Sequence, residues 1–151
     1  MSALSNAAET ALLELLFKNT NWANIGDATG LRGSSVAGVF YLSLHTADPG
    51  EGGNQGTNEI SYTGYARVSV ARSGAGFTVS GDNVSNAAEI LFGAMTAGAG
   101  GTATYVGLGT DLSGAGNLLF KALVTSPASG LAISAGITPR IAAGVLDFIA
   151  A

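Results

Sequence analysis

The amino-acid sequence predicts a mainly β protein, an antiparallel β-sandwich of the jelly-roll type with an N-terminal amphipathic helix. One early segment spaces its apolar residues three and four apart, as an amphipathic helix does. After Trp22 the apolar runs are short and are separated by Gly, Ser, Asn and Asp, which is typical of sandwiches and barrels. The 23 glycines suit the many tight turns that such a fold needs.

The predicted helix covers residues 5–18 and begins at Ser5, a residue type that caps helix N-termini well. Glu14 and Lys18 stand in the favourable i, i+4 order, and the turn-forming residues 19–24 end the helix. The apolar residues that carry this spacing are Ala8, Ala11, Leu12, Leu15 and Leu16.

The apolar stripe of Leu12, Leu15 and Leu16 must be covered by other protein. One possibility is that it docks on a neighbouring chain, since terminal segments often become ordered on binding. The other is that it packs on its own sandwich. We expect residues 1–24 to form a helical arm and residues 25–151 to form the β-sandwich domain.

Eight strands are predicted in the remainder of the chain. Within residues 65–71, apolar and polar side chains alternate with the period of two that a half-buried strand requires. The segments 81–83 (GDN) and 113–116 (SGAG) consist largely of turn-forming residues and are candidates for hairpin turns. The strands are expected near residues 36–44, 65–71, 76–80, 87–92, 102–108, 117–124, 131–134 and 141–148.

Two long loops are expected, at residues 46–64 and 93–101. The first contains Asp48-Pro49-Gly50, in which proline presets one φ angle of a turn and glycine accepts a positive φ at the next position. Long ordered loops on compact domains usually carry functional contacts. We therefore expect the 46–64 loop to contact another chain.

The composition is unusually neutral for a water-soluble domain. Charged residues make up 11% of the 151 residues, whereas about 25% is usual. We infer that other chains cover part of the surface and predict self-association as a trimer. Ten acidic residues against six basic ones argue against nucleic-acid binding. The early apolar run is too short for a bilayer span and lacks a basic flank, so a soluble protein made in the cytoplasm, without a membrane partner, is expected.

His45 is the only histidine, and it invites comparison with a catalytic triad. Ser43 or Ser61 could be drawn as the nucleophile and Asp48 as the acid. However, the chain has no Gly-x-Ser-x-Gly segment that would hold a serine on a sharp turn. We expect His45 to end a strand and to form a hydrogen bond within the following turn, and we predict no enzymatic activity.

The oxygen-bearing residues Asp48, Glu51, Asn54, Asn58 and Glu59 could offer ligands to calcium. Their spacing does not match an EF-hand loop, so a solvated polar loop is the preferred interpretation and neither a metal nor a cofactor is predicted.

Arg67 could pair with an acidic residue of a neighbouring chain or form a local salt bridge with Glu59. A sugar-binding or glycan-cleaving module is disfavoured because most carboxylates lie in predicted loops or on the helix.

Several motifs together resemble a family of small structural proteins of tailed-phage virions. They are the run from Leu42 to Gly50 (LSLHTADPG), the tripeptide Thr57-Asn58-Glu59, and the run from Tyr62 to Val68 (YTGYARV). The opening residues 4–9, the glycine-rich residues 107–116 and the segments around Pro139 and Gly144 extend the resemblance across the chain.

The resemblance implies a non-enzymatic virion component, made in the host and located in the particle. Members are usually labelled tail-fibre or virion proteins, and proteins of this size and β-rich character also serve as capsid decoration. Because the chain has no repeated shaft sequence, capsid decoration by bridging of capsid subunits is ranked first. A tail or tail-fibre protein involved in host attachment is the alternative. The partners are accordingly the major capsid protein or tail proteins. The contact candidates are Leu12, Leu15, Leu16, His45, Asp48, Pro49, Gly50, Glu59, Tyr62, Tyr65 and Arg67.

Overall fold

A computed structural model describes residues 4–125 and 127–149 of the chain. The one helix of this part is α1 (Asn6–Lys18). The strands are β1 (Val39–His45), β2 (Val68–Ala71), β3 (Phe77–Ser80), β4 (Asn83–Asn86), β5 (Ile90–Leu91), β6 (Gly101–Ala103), β7 (Tyr105–Gly109), β8 (Leu118–Leu123), β9 (Leu131–Ile133), β10 (Arg140–Ile141) and β11 (Asp147–Ile149). The described chain forms two compact units.

The first unit is built from the described parts of residues 1–39, 71–89 and 142–151. Its three-stranded sheet has the order β11-β4-β3 and is antiparallel at both pairings. Helix α1 packs on β3 and β4. The predicted helix is therefore confirmed, and it packs on strands of its own unit.

Sequence-local chemistry defines both ends of α1. The Ser5 hydroxyl accepts a hydrogen bond from the Ala8 amide, as an N-cap should. Asn19 ends the helix in the left-handed conformation, at φ 60°. The Arg72 guanidinium then donates to the carbonyl groups of Leu15 and Leu16 in the last turn, where the helix leaves acceptors unpaired.

Aromatic side chains fill the core of the first unit. Phe17 is fully buried, with its ring centroid 5.0 Å from that of Phe77 and 6.1 Å from that of Phe148. Leu13, one turn earlier on α1, is also buried, as is Val84 on β4. The buried side of α1 thus runs along Leu13 and Phe17.

The second unit contains the described parts of residues 40–70 and 90–141. Its main sheet has the order β2-β1-β7-β8. Strands β1 and β7 are antiparallel, with Leu42 opposite Leu108 and Leu44 opposite Val106, and all four side chains are buried. Two short antiparallel pairs, β5 with β10 and β6 with β9, complete the unit.

The mainly β class, with antiparallel sheets and an N-terminal helix, is confirmed, but several strand limits were wrong. The segments predicted at 102–108 and 141–148 are each divided into two strands, at Thr104 and around Gly144, which has φ 72°. Asn83 was assigned to a turn but begins β4, so β4 was missed; the tight turn is shorter than predicted. Within the described residues, no helix has the length and apolar character needed to span a bilayer.

Candidate functional site

The 46–64 loop folds back on the end of β1. The Thr46 amide donates to the Asn58 carbonyl at 2.8 Å, and the Ile60 amide donates to the Leu44 carbonyl at 2.9 Å. An isolated antiparallel bridge joins His45 to Glu59 between these two bonds. The loop therefore leaves β1 and returns beside it. Residues of the motifs LSLHTADPG, TNE and YTGYARV are brought together at the base of the loop, where it joins β1.

Arg67 is the centre of this base, and its side chain is almost completely buried. Its guanidinium donates to both carboxylate oxygens of Glu59, at 2.8 and 2.7 Å. It also donates to the carbonyl of Asp111 at 2.9 Å and to that of Gly114 at 2.6 Å. The hydrogen bonds that Arg67 donates to Glu59 raise the pKa of Arg67 above its usual value. The local salt bridge between Arg67 and Glu59 is confirmed, and the same arginine also holds the loop after β7.

Tyr65 connects Glu59 to the backbone of β1. Its hydroxyl donates to Glu59 Oε1 at 2.8 Å and accepts a hydrogen bond from the Leu44 amide at 3.0 Å. Burial raises the pKa of the Tyr65 hydroxyl well above its usual value, so the group remains a donor. Tyr62 is also buried, and its hydroxyl donates to the Gly93 carbonyl at 2.8 Å. The hydroxyl groups of both tyrosines thus form hydrogen bonds within the second unit.

His45 is fully buried at the end of β1. Its Nδ1 lies 2.8 Å from the Thr57 carbonyl, which can only accept, so we assign the proton to Nδ1. Nε2 lies 2.8 Å from Ser43 Oγ and accepts the hydroxyl proton. Burial lowers the pKa of His45 below its usual 6.5, which favours this neutral form.

A catalytic Ser43–His45 pair does not fit this geometry. Both side chains are fully buried, so a substrate has no access to the serine oxygen. In a triad a carboxylate orients the histidine through Nδ1, whereas here Nδ1 faces a backbone carbonyl in the loop. The interpretation of His45 as the end of a strand, bonded within the following loop, is confirmed.

Asp48, Pro49 and Gly50 form the first turn of the loop. Asp48 Oδ1 accepts from the Gly50 amide at 2.7 Å, and Gly50 has φ 75°, as the turn required. The Lys121 amine donates to the same oxygen at 2.7 Å, and these hydrogen bonds lower the pKa of Asp48. Pro49 is buried beneath the turn, whereas the side chain of Glu51 is almost fully exposed.

Protein groups already occupy several of the oxygens considered for calcium. Both Glu59 oxygens bind Arg67, one oxygen of Asp48 binds Lys121, and Asn54 Oδ1 accepts from the Gly56 amide. Among residues 4–125 and 127–149, no group of three or more His, Cys, Asp or Glu side chains could hold a metal ion.

Sequence reasoning missed Gln55, which is fully buried in the same base. Its amide nitrogen donates to the Tyr41 carbonyl at 3.2 Å, and its oxygen accepts from the Asp111 amide at 2.9 Å. Glycines make the space, since a Cβ on Gly109 would lie 2.1 Å from the Gln55 side chain and one on Gly116 would lie 2.4 Å from it. The signal that could have found it was glycine at the end of β7 and in the segment that follows, at Gly109 and Gly116.

The three leucine candidates of α1 belong to the first unit, whereas this base belongs to the second. Leu12 is 37% exposed, and Leu15 and Leu16 are half-buried, whereas Leu13 and Phe17 face the core. The predicted stripe therefore lies beside the buried side of the helix. Its role in contacting another chain stays a prediction.

Four contact candidates of the second unit form one cluster, defined here as the loop base: His45, Glu59, Tyr65 and Arg67, with Ser43, Thr57 and Gln55. Within the described residues, no buried side-chain nitrogen or oxygen lacks a hydrogen-bond partner. The polar groups of the loop base are thus satisfied internally. This arrangement holds two loops in place.

A protein-family model described as podophage GP4 fiber I protein gp80 matches residues 3–148. The chain belongs to this family. A search of the curated proteins found no match. Family membership confirms the resemblance to phage virion proteins at the level of the family. The family description names a fibre, so it supports the tail-fibre alternative better than capsid decoration, which the sequence interpretation had ranked first.

Proposed function

We propose that this protein is a non-enzymatic structural component of a bacteriophage tail fibre and takes part in attachment of the particle to its host. The single observation that carries the proposal is the fibre-family match over residues 3–148, which covers nearly the whole chain. The geometry of the loop base supports it, because the polar cluster that could have suggested catalysis is buried and internally satisfied.

We further propose that the protein acts by burying surface against other virion chains. Thirteen large apolar side chains of the described residues are at least 37% exposed, among them Val36 at 75% and Leu112 at 58%. Charged residues make up 11% of the chain, which is too few to give such a surface the polar cover of a typical free monomer. A specific contact buries about 1,600 Å², and a symmetric particle repeats it many times.

Location on the particle tests the proposal directly. Antibodies raised against the purified chain are applied to intact virions, and the labelled sites are located by electron microscopy. Label on the fibres is expected. Label over the head would refute the fibre proposal and would support capsid decoration.

Particles that lack the protein give an independent test. A fibre component predicts that these particles adsorb poorly to host cells, while their heads retain DNA at the same temperature as complete particles. Capsid decoration predicts the reverse, with normal adsorption and earlier loss of DNA on heating.

Self-association as a trimer stays part of the proposal and is measured on the isolated chain. Sedimentation equilibrium over a range of concentrations is expected to give three times the mass of 14.9 kDa. A stable monomer in dilute solution would refute the trimer. The apolar surface could then be buried only by assembly on the particle.

A further inference from the structure

We propose that His45, Ser43 and Thr57 form a proton-sensitive latch that releases the 46–64 loop from β1 under mildly acidic conditions. The latch consists of two hydrogen bonds at one imidazole ring. Nδ1–H donates to the Thr57 carbonyl, and Nε2 accepts from the Ser43 hydroxyl, each at 2.8 Å. The first bond ties the returning end of the loop to β1, and the second fixes the plane of the ring.

A second proton on the ring would conflict with this arrangement. Protonated Nε2 is a donor, so Ser43 Oγ would have to accept from it and send its own proton elsewhere. The carbonyl of Gly107 lies 3.4 Å from Ser43 Oγ, which is longer than a normal O–H···O bond. The ring also packs closely against β7 at Gly107. A Cβ at that position would lie only 2.5 Å from Nε2, so the ring already fills the space beside the glycine.

The charged neighbours of His45 do not compensate for the burial of a protonated imidazole. Glu59 faces the ring from the returning strand of the loop and its charge raises the pKa of His45, but burial has the larger, opposite effect, and Arg67 and the Tyr65 hydroxyl already hold the Glu59 oxygens. Arg67 itself repels an imidazolium.

Two further titratable residues lie on the neighbouring strands β7 and β8. Tyr105 is opposite His45 on β7, and Lys121, which is opposite Gly107 on β8, points its amine at Asp48. Stabilisation of a buried imidazolium therefore requires water, and water reaches the ring only when the loop opens.

The direction of the pH dependence follows from the same facts. Burial, the largest cause, places the pKa of folded His45 below the usual 6.5. A group with a depressed pKa that is neutral in the folded state binds more protons in the open state as the pH falls. The closed loop is therefore most stable above pH 6.5 and loses stability as the pH falls from there toward the pKa of the folded state.

Nuclear magnetic resonance tests the latch on the full chain, because the single histidine gives one unambiguous set of imidazole signals. Amide hydrogen exchange is measured between pH 7.5 and 5.0, a range in which ordinary carboxylates remain ionised. After correction for the intrinsic exchange rate, protection of the Thr46 and Ile60 amides is expected to fall by up to about tenfold per pH unit below the pKa of the open state. Protection in the paired part of β1 and β7 should not change.

Two variants make the test specific. His45→Asn keeps a donor near the Nδ1 position but cannot be protonated, so its loop protection should not depend on pH. Asp48→Asn removes an exposed carboxylate from the same loop and should keep the pH dependence of the natural chain.

Three outcomes would overturn the latch: constant loop protection across the pH range, the same pH dependence in His45→Asn, or simultaneous loss of protection in β7. If His45→Asn does not fold, measurements on the unsubstituted chain still test the proposal. The imidazole titration and the loss of loop protection must then follow the same midpoint, and different midpoints refute the proposal.

Discussion

Arg67 holds both carboxylate oxygens of Glu59, at 2.8 and 2.7 Å, while two further donors of its guanidinium bind carbonyl groups of the loop after β7. The planar guanidinium allows this, because it presents five donors in a fixed fork. One side chain therefore joins the 46–64 loop to the 110–117 loop.

Replacement of Arg67 by Met should lower the free energy of unfolding by about 3–5 kcal/mol, because Glu59 would be left as a partly buried, unpaired charge. Arg67→Lys keeps the charge but cannot reach four acceptors at once, so it should also destabilise the protein, by less. Urea unfolding followed by circular dichroism measures both. Lys121→Ala, which breaks an exposed pair with Asp48, is the control and should change stability little. Equal losses in Arg67→Met and the control would contradict this prediction.

The core of the first unit depends on Phe17 and not on the predicted stripe. Phe17→Ala leaves a large cavity between Phe77 and Phe148 and should cost about 3–5 kcal/mol in unfolding free energy. Leu12→Ala, at a position 37% exposed, should cost much less. Thermal denaturation compares the two. A larger cost for Leu12→Ala would show that the helix buries a different face.

Deletion of residues 1–18 tests whether the helix is a detachable arm. Because Leu13 and Phe17 are buried in their own unit, the shortened chain should unfold or aggregate. Circular dichroism and light scattering report these outcomes. A shortened chain that keeps its β spectrum but no longer binds particles would establish the docking role of Leu12, Leu15 and Leu16.

Gly107 should not tolerate a side chain. An alanine Cβ there would lie 2.5 Å from His45 Nε2 and 2.8 Å from Ser43 Oγ, both of them buried atoms. Gly107→Ala should therefore destabilise the protein by about 1–3 kcal/mol. Gly52→Ala is the matched control, since nothing lies within 4 Å of its added Cβ and its φ is not positive. A melting temperature of Gly107→Ala equal to that of the control would mean that the space beside His45 is larger than described.

The 46–64 loop should keep its structure without calcium. Added calcium should leave the melting temperature unchanged, because Glu59 is engaged by Arg67 and Asp48 by Lys121. Replacement of both Pro49 and Gly50 should loosen the first turn and weaken incorporation into particles while the fold is kept. A calcium-dependent rise in melting temperature that is lost in Asp48→Asn would contradict the first expectation.

Local features of the structure could be predicted from the sequence because they depend on near neighbours along the chain. The α1 limits follow from the Ser5 cap and from the turn-forming residues after Lys18. The turn at Gly50 follows from its proline and glycine, and the membership of His45 in a strand end follows from the apolar pattern before it. Family resemblance was likewise contained in short motifs.

Only the tertiary structure decided which residues meet. Arg67 and Asp111 are 44 residues apart, and no local pattern reveals that a guanidinium on one segment will satisfy a carbonyl on the other. Gln55 looked like an ordinary loop residue, but glycines on β7 and in the following loop open a space that buries it. The buried side of the helix was missed for the same reason: periodicity shows that a helix has an apolar side, whereas the shape of the Phe77 and Phe148 surface selects Leu13 and Phe17 for burial. Spacing along the chain constrains backbone conformation, but burial depends on complementary surfaces that distant segments supply.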